Sequence, residues 1–279
     1  MPANLRDRLG SVIGGLAMRY HRRRYNIVKV NLSLCFPELD DDAREAMIQR
    51  HFRAQFQAML NYGALWWGTP SKLRNQIVLQ GQEQIGHYRS KGKNVIIMAC
   101  HSVALDFGVT GVTMDYSASG PFKPVKSPII NWLVARGRTR FGGRVYTRDV
   151  GLRPIVKDLK AGRLLFYLPD EDLGAEQSVF VPFFGQEKAT IPVLGRLAKL
   201  GDAVVLPCIS CYDAQKNRYI VHLLPAIENF PQGDDVIDAT MMNQALEAAI
   251  RVCPDQYLWS LRYFKTRPGN QVSPYKQLR

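Results

Sequence analysis

The chain has 279 residues, 46% hydrophobic and 22% charged, which excludes disorder as its overall state and allows a sizeable core. Thirty-seven lysines and arginines against 24 acids leave a net charge of +13, which excludes an acidic, solvating protein and points to an anionic partner. The length fits one large domain or two small ones.

The basic charge is concentrated in two segments. Residues 1–30 hold seven basic residues against one acid, and residues 122–163 hold eleven against two. In the first segment, Leu5, Leu9, Val12, Ile13, Leu16 and Tyr20 fall on one arc at helical spacing, and Arg22, Arg23 and Arg24 follow. That pattern describes an interfacial helix with a polybasic end, or a helix packed on the core with a solvated arginine cluster. Residues 1–30 are therefore set apart as a basic amphipathic segment, and residues 31–279 are read as one domain. No apolar run reaches the ~20 residues a spanning helix needs, so the chain is expected to lie on a membrane or in solution.

Asp40, Asp41 and Asp42 can cap a helix running toward Trp67, with Ile48, Phe52, Phe56 and Leu60 as its apolar stripe. Trp66 and Trp67 suit a core or a lipid interface. Beyond it, short apolar runs alternate with helical patterns. Strands are predicted at 95–99, 164–168, 204–206 and 219–224, and helices near 129–141, 151–161, 190–200 and 235–252. The alternation predicts an α/β layered fold with a mostly parallel sheet flanked by helices. Thr190, before Ile191 and Pro192, reads as the N-cap of the third of these helices. Val181–Gly185 reads as an aromatic turn, either an acyl-pocket wall or a packed loop. The five scattered cysteines do not form a disulfide framework, and Cys208 and Cys211 read as buried thiols of a reducing compartment.

His101 directly follows the strand at 95–99, and Asp106 comes five residues later, where a helix can begin. Ligands of α/β sheets gather at the carboxyl ends of strands, so a histidine there with a carboxylate in reach is an oriented general base. Asp170 ends the strand at 164–168 and belongs on the same edge of the sheet. Arg138 and Arg140 come from the basic segment between them. A histidine base, two acids and a guanidinium on one rim suit transfer chemistry on a phosphate-bearing substrate. Three other classes fit parts of the pattern. A hydrolase would use water at the same base. A metallohydrolase would draw on His101, Asp106, Asp170, Asp172 and His222. A basic lipid- or nucleic-acid-binding protein would need no catalysis, but no nucleic-acid motif is present.

Six ordered segments, from about Asn31 to Pro268, resemble the late acyltransferases of lipid A biosynthesis, the lauroyl/myristoyl type. Asn31–Glu38 is similar to N-L-x-x-C-F-P-E, and His101 with Asp106 to H-x4-[DE]. Pro128–Arg140 is similar to a segment ending in G-R-x-R. Pro169–Asp172 is similar to P-D-x-D, followed by V-F-V-P-x-F. Gln256–Trp259 and Arg262–Pro268 resemble Q-Y-x-W and R-x-F-K-T-R-P. The resemblance implies a glycerolipid-acyltransferase fold. It also implies transfer of a fatty acyl chain from acyl carrier protein to a lipid hydroxyl at the cytoplasmic face of the bacterial inner membrane. It implies His101 as base, Asp106 as its orienting acid, Arg138 at an acceptor phosphate or oxyanion, Asp170 positioning that arginine, and no metal or organic cofactor. Three departures stand out. The family's usual membrane-spanning helix has no counterpart here, so anchoring would be peripheral. The dyad acid is Asp rather than the more familiar Glu. Lys123 stands where the family has arginine in Y-R-P-x-x-N-P, which leaves other acceptors open, ornithine lipids and glycerophospholipids among them.

Overall fold

The computed structural model describes residues 3–269 and 271–278. Helices α1 (Ala3–Tyr20), α2 (Arg22–Cys35), α3 (Asp41–Trp67) and α4 (Pro70–Gln76) come first. Strands and helices then alternate: β1 (Ile77–Gln80), α5 (Glu83–Ser90), β2 (Asn94–Ala99), α6 (Leu105–Asp115), β3 (Ala118–Phe122), α7 (Pro128–Thr139), β4 (Arg144–Thr147), α8 (Arg153–Lys160) and β5 (Leu164–Tyr167). The hairpin β6 (Val179–Phe183) and β7 (Gln186–Thr190) follows, then α9 (Val193–Gly201), β8 (Ala203–Asp213), β9 (Arg218–Leu223) and α10 (Asp235–Ile250).

Seven strands form one sheet in the order β1-β9-β8-β2-β5-β3-β4. Every neighbouring pair is parallel except β8 with β9. The α/β expectation holds, and the reason is visible in β2. Its run Val95–Ala99 is buried throughout, because a central parallel strand is covered on both faces. The strand's alternation then divides the core. Ile96 and Met98 face one layer with Leu165, Val205 and residues of α2, α3, α9 and α10. Val95, Ile97 and Ala99 face the other, with Leu164, Phe166, Leu206 and residues of α4, α5 and α6.

Asp40 caps α3, accepting a 2.7 Å bond from the Ala43 N–H. Helix α1 packs on α3 through its small residues. A Cβ on Gly14 would lie 2.7 Å from the Phe52 carbonyl oxygen, so only glycine permits this approach. The large side chains of α1 therefore turn outward: Leu5, Leu9, Val12, Ile13, Leu16 and Tyr20 are exposed by 37–76%. Position 30, the expected segment boundary, lies inside α2, whose Ile27 and Val28 are core residues. Asn31 ties α2 to the C-terminal segment, donating to the Trp259 and Leu261 carbonyls at 2.6 and 2.7 Å.

Two expectations are corrected. Thr190 caps no helix; it ends β7, and α9 begins after Pro192 without a side-chain cap. The hydroxyl instead bonds along the strand and to Asn243, because the hairpin competes for it. Cys211 is not a free thiol but forms a disulfide with Cys253, its Cα 6.4 Å away. A separation of 42 residues hid this pair, which the antiparallel β8–β9 turn and α10 bring together. Cys35, Cys100 and Cys208 are free and buried, and for Cys208 a buried thiol is what was expected.

His51, on α3, is buried with Nδ1 3.1 Å from the Asp255 carbonyl oxygen, and burial pushes its pKa down to about 4. The unfolded chain takes up this proton first, so stability is lost as pH falls from 6.5 toward 4. The loss from this one group is about 3 kcal/mol. Urea midpoints should show that loss, and His51→Asn should flatten this part of the profile; a variant slope equal to the parent's would exclude His51 as its source.

Candidate active site

Strands β2, β5 and β3 are adjacent and parallel, so their carboxyl ends share one edge. His101 lies two residues beyond β2, Asp170 three beyond β5, and Lys123 directly after β3. Met98 and Tyr167 are register partners, and His101 and Asp170 each lie three residues further on. The sheet thus delivers the two side chains to each other.

Asp170 is fully buried and takes three bonds. Its Oδ1 is 2.6 Å from His101 Nδ1, while Oδ2 accepts from the His101 N–H at 2.8 Å and the Tyr257 hydroxyl at 3.0 Å. A carboxylate only accepts, so Nδ1 carries the proton and Nε2 keeps its lone pair. Nε2 faces the open side, 3.8 Å from Glu171 Oε1, and the side chain is 22% exposed. Burial pulls the imidazole pKa down, but the charge and hydrogen bond of Asp170, with Glu171, outweigh it and hold it above 6.5. Burial raises Asp170, and the charge and hydrogen bonds of His101, with the charge of Lys188, reverse that and hold it below its usual value.

The C-terminal segment clamps this loop. Leu258 N–H donates to the His101 carbonyl at 2.7 Å, and Val103 N–H to that of Gln256 at 2.9 Å. The Gln256 amide in turn bridges both backbone groups of Tyr212 on β8.

Asp106 stands in the first turn of α6, yet it does not orient His101. Its Oδ1 accepts from Arg138 Nε at 2.7 Å and its Oδ2 from the Tyr62 hydroxyl at 3.0 Å. The expected roles of the two acids are therefore exchanged: Asp170 holds the imidazole and Asp106 holds the arginine. The reason is directional. The first turn of α6 faces α3 and α7, whereas β5 is the strand that flanks β2. Arg138 is three-quarters buried, with its guanidinium 5.6 Å from the Phe122 ring.

Arg140 is not in the site. Its Nη1 donates to the Leu65 carbonyl at 2.8 Å and its Nη2 to that of Gly68, closing the C-terminal end of α3. Directly after the end of α7 and two residues from Arg138, it leaves the helix on the other side. The Val181–Gly185 turn walls no cavity of the site either; Phe184 packs on Phe36 and Trp259 within the core. Asp172 is engaged by the Thr266 backbone and hydroxyl, both at 2.7 Å. Among the described residues no three His, Cys, Asp or Glu side chains form a metal-binding group. His222 stands on β9, separated from β2 by β8.

Two cavities meet at Arg138. A polar basin is lined by His101, Lys123, Glu171 and Phe122. A narrow apolar cleft runs between α6 and the sheet, lined by Leu105, Val109, Ala118, Val145 and Phe166. Pro121, Arg138 and Leu168 belong to both. A hydrogen-bonded base, two cations and an adjoining greasy cleft suit proton transfer beside a long apolar group. Tyr62, Glu171 and Tyr257 were not singled out from the sequence. Only Tyr257 carried a signal, within Gln256–Trp259.

A family model for bacterial lipid A biosynthesis acyltransferases matches residues 1–266. The chain is 34% identical over 272 residues to a lipid A biosynthesis acyltransferase of Haemophilus influenzae, covering 97% of this chain and 85% of that protein. It is 32% identical to two Escherichia coli proteins. One is a lipid A biosynthesis myristoyltransferase, with 99% of this chain and 86% of that protein covered. The other is a lauroyltransferase, with 96% and 88% covered. The fold, the sheet-edge site and these similarities agree: the chain belongs to the bacterial lipid A biosynthesis acyltransferase family.

Proposed function

We propose that the protein transfers a fatty acyl chain from acyl carrier protein to a hydroxyl of a lipid A precursor, with His101 and Asp170 as its base pair. The observation that carries this reading is an imidazole whose Nδ1 is fixed by a buried carboxylate while Nε2 opens on a basin joined to an apolar cleft. The acceptor hydroxyl gives its proton to Nε2 as its oxygen attacks the thioester carbonyl carbon. Asp170 stabilises the imidazolium. Arg138, held by Asp106, faces the negative charge that develops on the carbonyl oxygen or an acceptor phosphate. The C–S bond then breaks, and the thiolate takes the proton back from Nε2, leaving an ester and a free thiol. The acyl tail occupies the cleft behind Arg138, and Lys123 faces the phosphorylated acceptor. The steps call on no metal or organic cofactor.

The donor protein is acidic, and the basic segment 122–163 suits it. The acceptor is a membrane lipid, and the protein is read as peripheral on the cytoplasmic face of the inner membrane. Among the described residues no helix is long and apolar enough to cross a membrane. The exposed apolar arc of α1, followed by exposed Arg19 and Arg22–Arg24, supports adsorption to anionic lipid. A second exposed apolar set, Ile129, Ile130 and Trp132, stands on α7, whose Asn131 accepts at 2.9 Å from the N–H of Val125, a residue lining the basin.

Three outcomes test this reading. His101→Ala should lower acyl transfer from acyl carrier protein to a lipid A precursor by about 10²–10⁴-fold in protein that circular dichroism shows to be folded; full activity would reject the mechanism. If free fatty acid were the only product with and without acceptor lipid, the protein would be a thioesterase.

In parent enzyme, kcat/KM should fall as pH drops through a midpoint above 6.5, because a protonated imidazole accepts nothing. Asp170→Asn should move that midpoint down and lower the rate, while Asp106→Asn should lower the rate and leave the midpoint in place. The reverse assignment of shifts would return Asp106 to the dyad.

Sedimentation with phosphatidylglycerol vesicles should capture the parent. Replacing Leu9, Val12 and Leu16 together by serine should weaken that binding by at least about tenfold. Equal binding by the two proteins would remove α1 as an anchor.

A further inference from the structure

Lys188, on β7, is fully buried, and among the described residues its Nζ has no hydrogen-bond partner. Lysine is almost never sealed away unless a charge compensates it. The nearest ring is Phe183, with Nζ 5.5 Å from its centroid. The charges that act on the ammonium are Asp170 and Asp172.

Two paths of contacts link the strand of Lys188 to the catalytic pair. Thr266 donates to Asp172, and the next residue, Arg267, donates to the Glu187 carbonyl at 2.7 Å. Consecutive residues thus bind the strand of Lys188 to the segment carrying both carboxylates. On the other path, Phe183 lies 6.5 Å from Tyr263, which stacks at 4.8 Å on Tyr257, whose hydroxyl donates to Asp170.

We propose that Lys188 is a positioning residue of the catalytic centre: its ammonium, buried on the strand that Arg267 ties to the segment of Asp170 and Asp172, offsets part of the negative charge there and so lowers the pH at which His101 takes its proton. This rests on the proposed role of His101 as base. One ammonium offsets one of the two negative charges and leaves the other for the imidazolium. Burial lowers the Lys188 pKa to about 8 against the pull of the two carboxylates, so the ammonium is charged at neutral pH. The other groups facing this cluster are the Tyr257 and Tyr263 hydroxyls and the Cys100 thiol, all of which burial and Asp170 hold neutral. On the open side of the imidazole, Glu171 raises the His101 pKa and Arg138 lowers it, and both stay in place in the variants below.

The sign follows. Removing the ammonium leaves the carboxylates undercompensated, so the imidazolium is favoured and the His101 pKa rises. Removing the charge of Asp172 lowers it. The test is an NMR titration of His101 in ¹³C-histidine-labelled full-length protein, together with the pH profile of kcat/KM. Lys188→Met should move both midpoints up by about one pH unit, and Asp172→Asn should move both down. The double variant Lys188→Met/Asp172→Asn should return them close to the parent, which a merely structural loss would not do. Lys188→Arg should keep the parent midpoint. Unmoved midpoints in Lys188→Met, or a double variant shifted as far as Lys188→Met, would overturn the proposal. If Lys188→Met does not fold, Asp172→Asn decides alone: a midpoint that fails to fall counts against it. The titration needs no substrate, so it judges the charge balance separately from acyl transfer.

Discussion

The centre of this structure is the carboxylate of Asp170. It is fully buried, and it holds three donors from two different parts of the chain: the backbone and ring of His101 and the hydroxyl of Tyr257. An ionised group in that position survives only because every lone-pair direction it needs is answered. The same bonds choose the tautomer of the imidazole, fix the loop after β2 and lock the C-terminal segment across it. Losing the carboxylate would leave the loop, the ring and the clamp each without a partner.

Around that point the fold sorts its residues by task. The motif segments that carry the family resemblance are mostly supports. Asn31 joins α2 to the C-terminal segment, Phe36 packs with Phe184 and Trp259, and Thr266 holds Asp172. Asp106, Tyr62 and Arg138 form a second unit at the join of the two cavities. The outer helices obey the opposite logic to the core. Glycines on α1 let it approach α3 closely, and the side chains that would normally drive its packing are left facing outward. Such a face gains free energy only against another apolar phase, which is why a lipid surface is the partner proposed for it.

Much of this was legible in the residues. Continuous apolar runs announced β2, β5 and the core of β8, because buried parallel strands need them. The edge strands β1 and β4 were not announced, nor was β3 beside the edge. β3 reads Ala118-Ser119-Gly120-Pro121-Phe122, and a glycine and a proline argue against a strand until neighbours are known. His101, Arg138 and Asp170 were found because strand ends and a basic segment pointed to one rim. The pairing among them was not, since sequence distance favours Asp106 as the partner of His101. The register Met98–Tyr167 decides otherwise, and register is a tertiary fact. Arg140 misled for a similar reason: adjacency in a motif says nothing about which side of α7 a side chain leaves. The Cys211–Cys253 pair and the neighbours of Lys188 likewise depend on contacts across long stretches of chain.

The most direct measurement of the central claim is the tautomer of His101, read by ¹⁵N NMR at a pH above its pKa. The account requires the proton on Nδ1, with a strongly deshielded ring N–H that disappears in Asp170→Asn and persists in Asp106→Asn. A proton on Nε2, or a deshielded signal that vanishes only when Asp106 is altered, would contradict it.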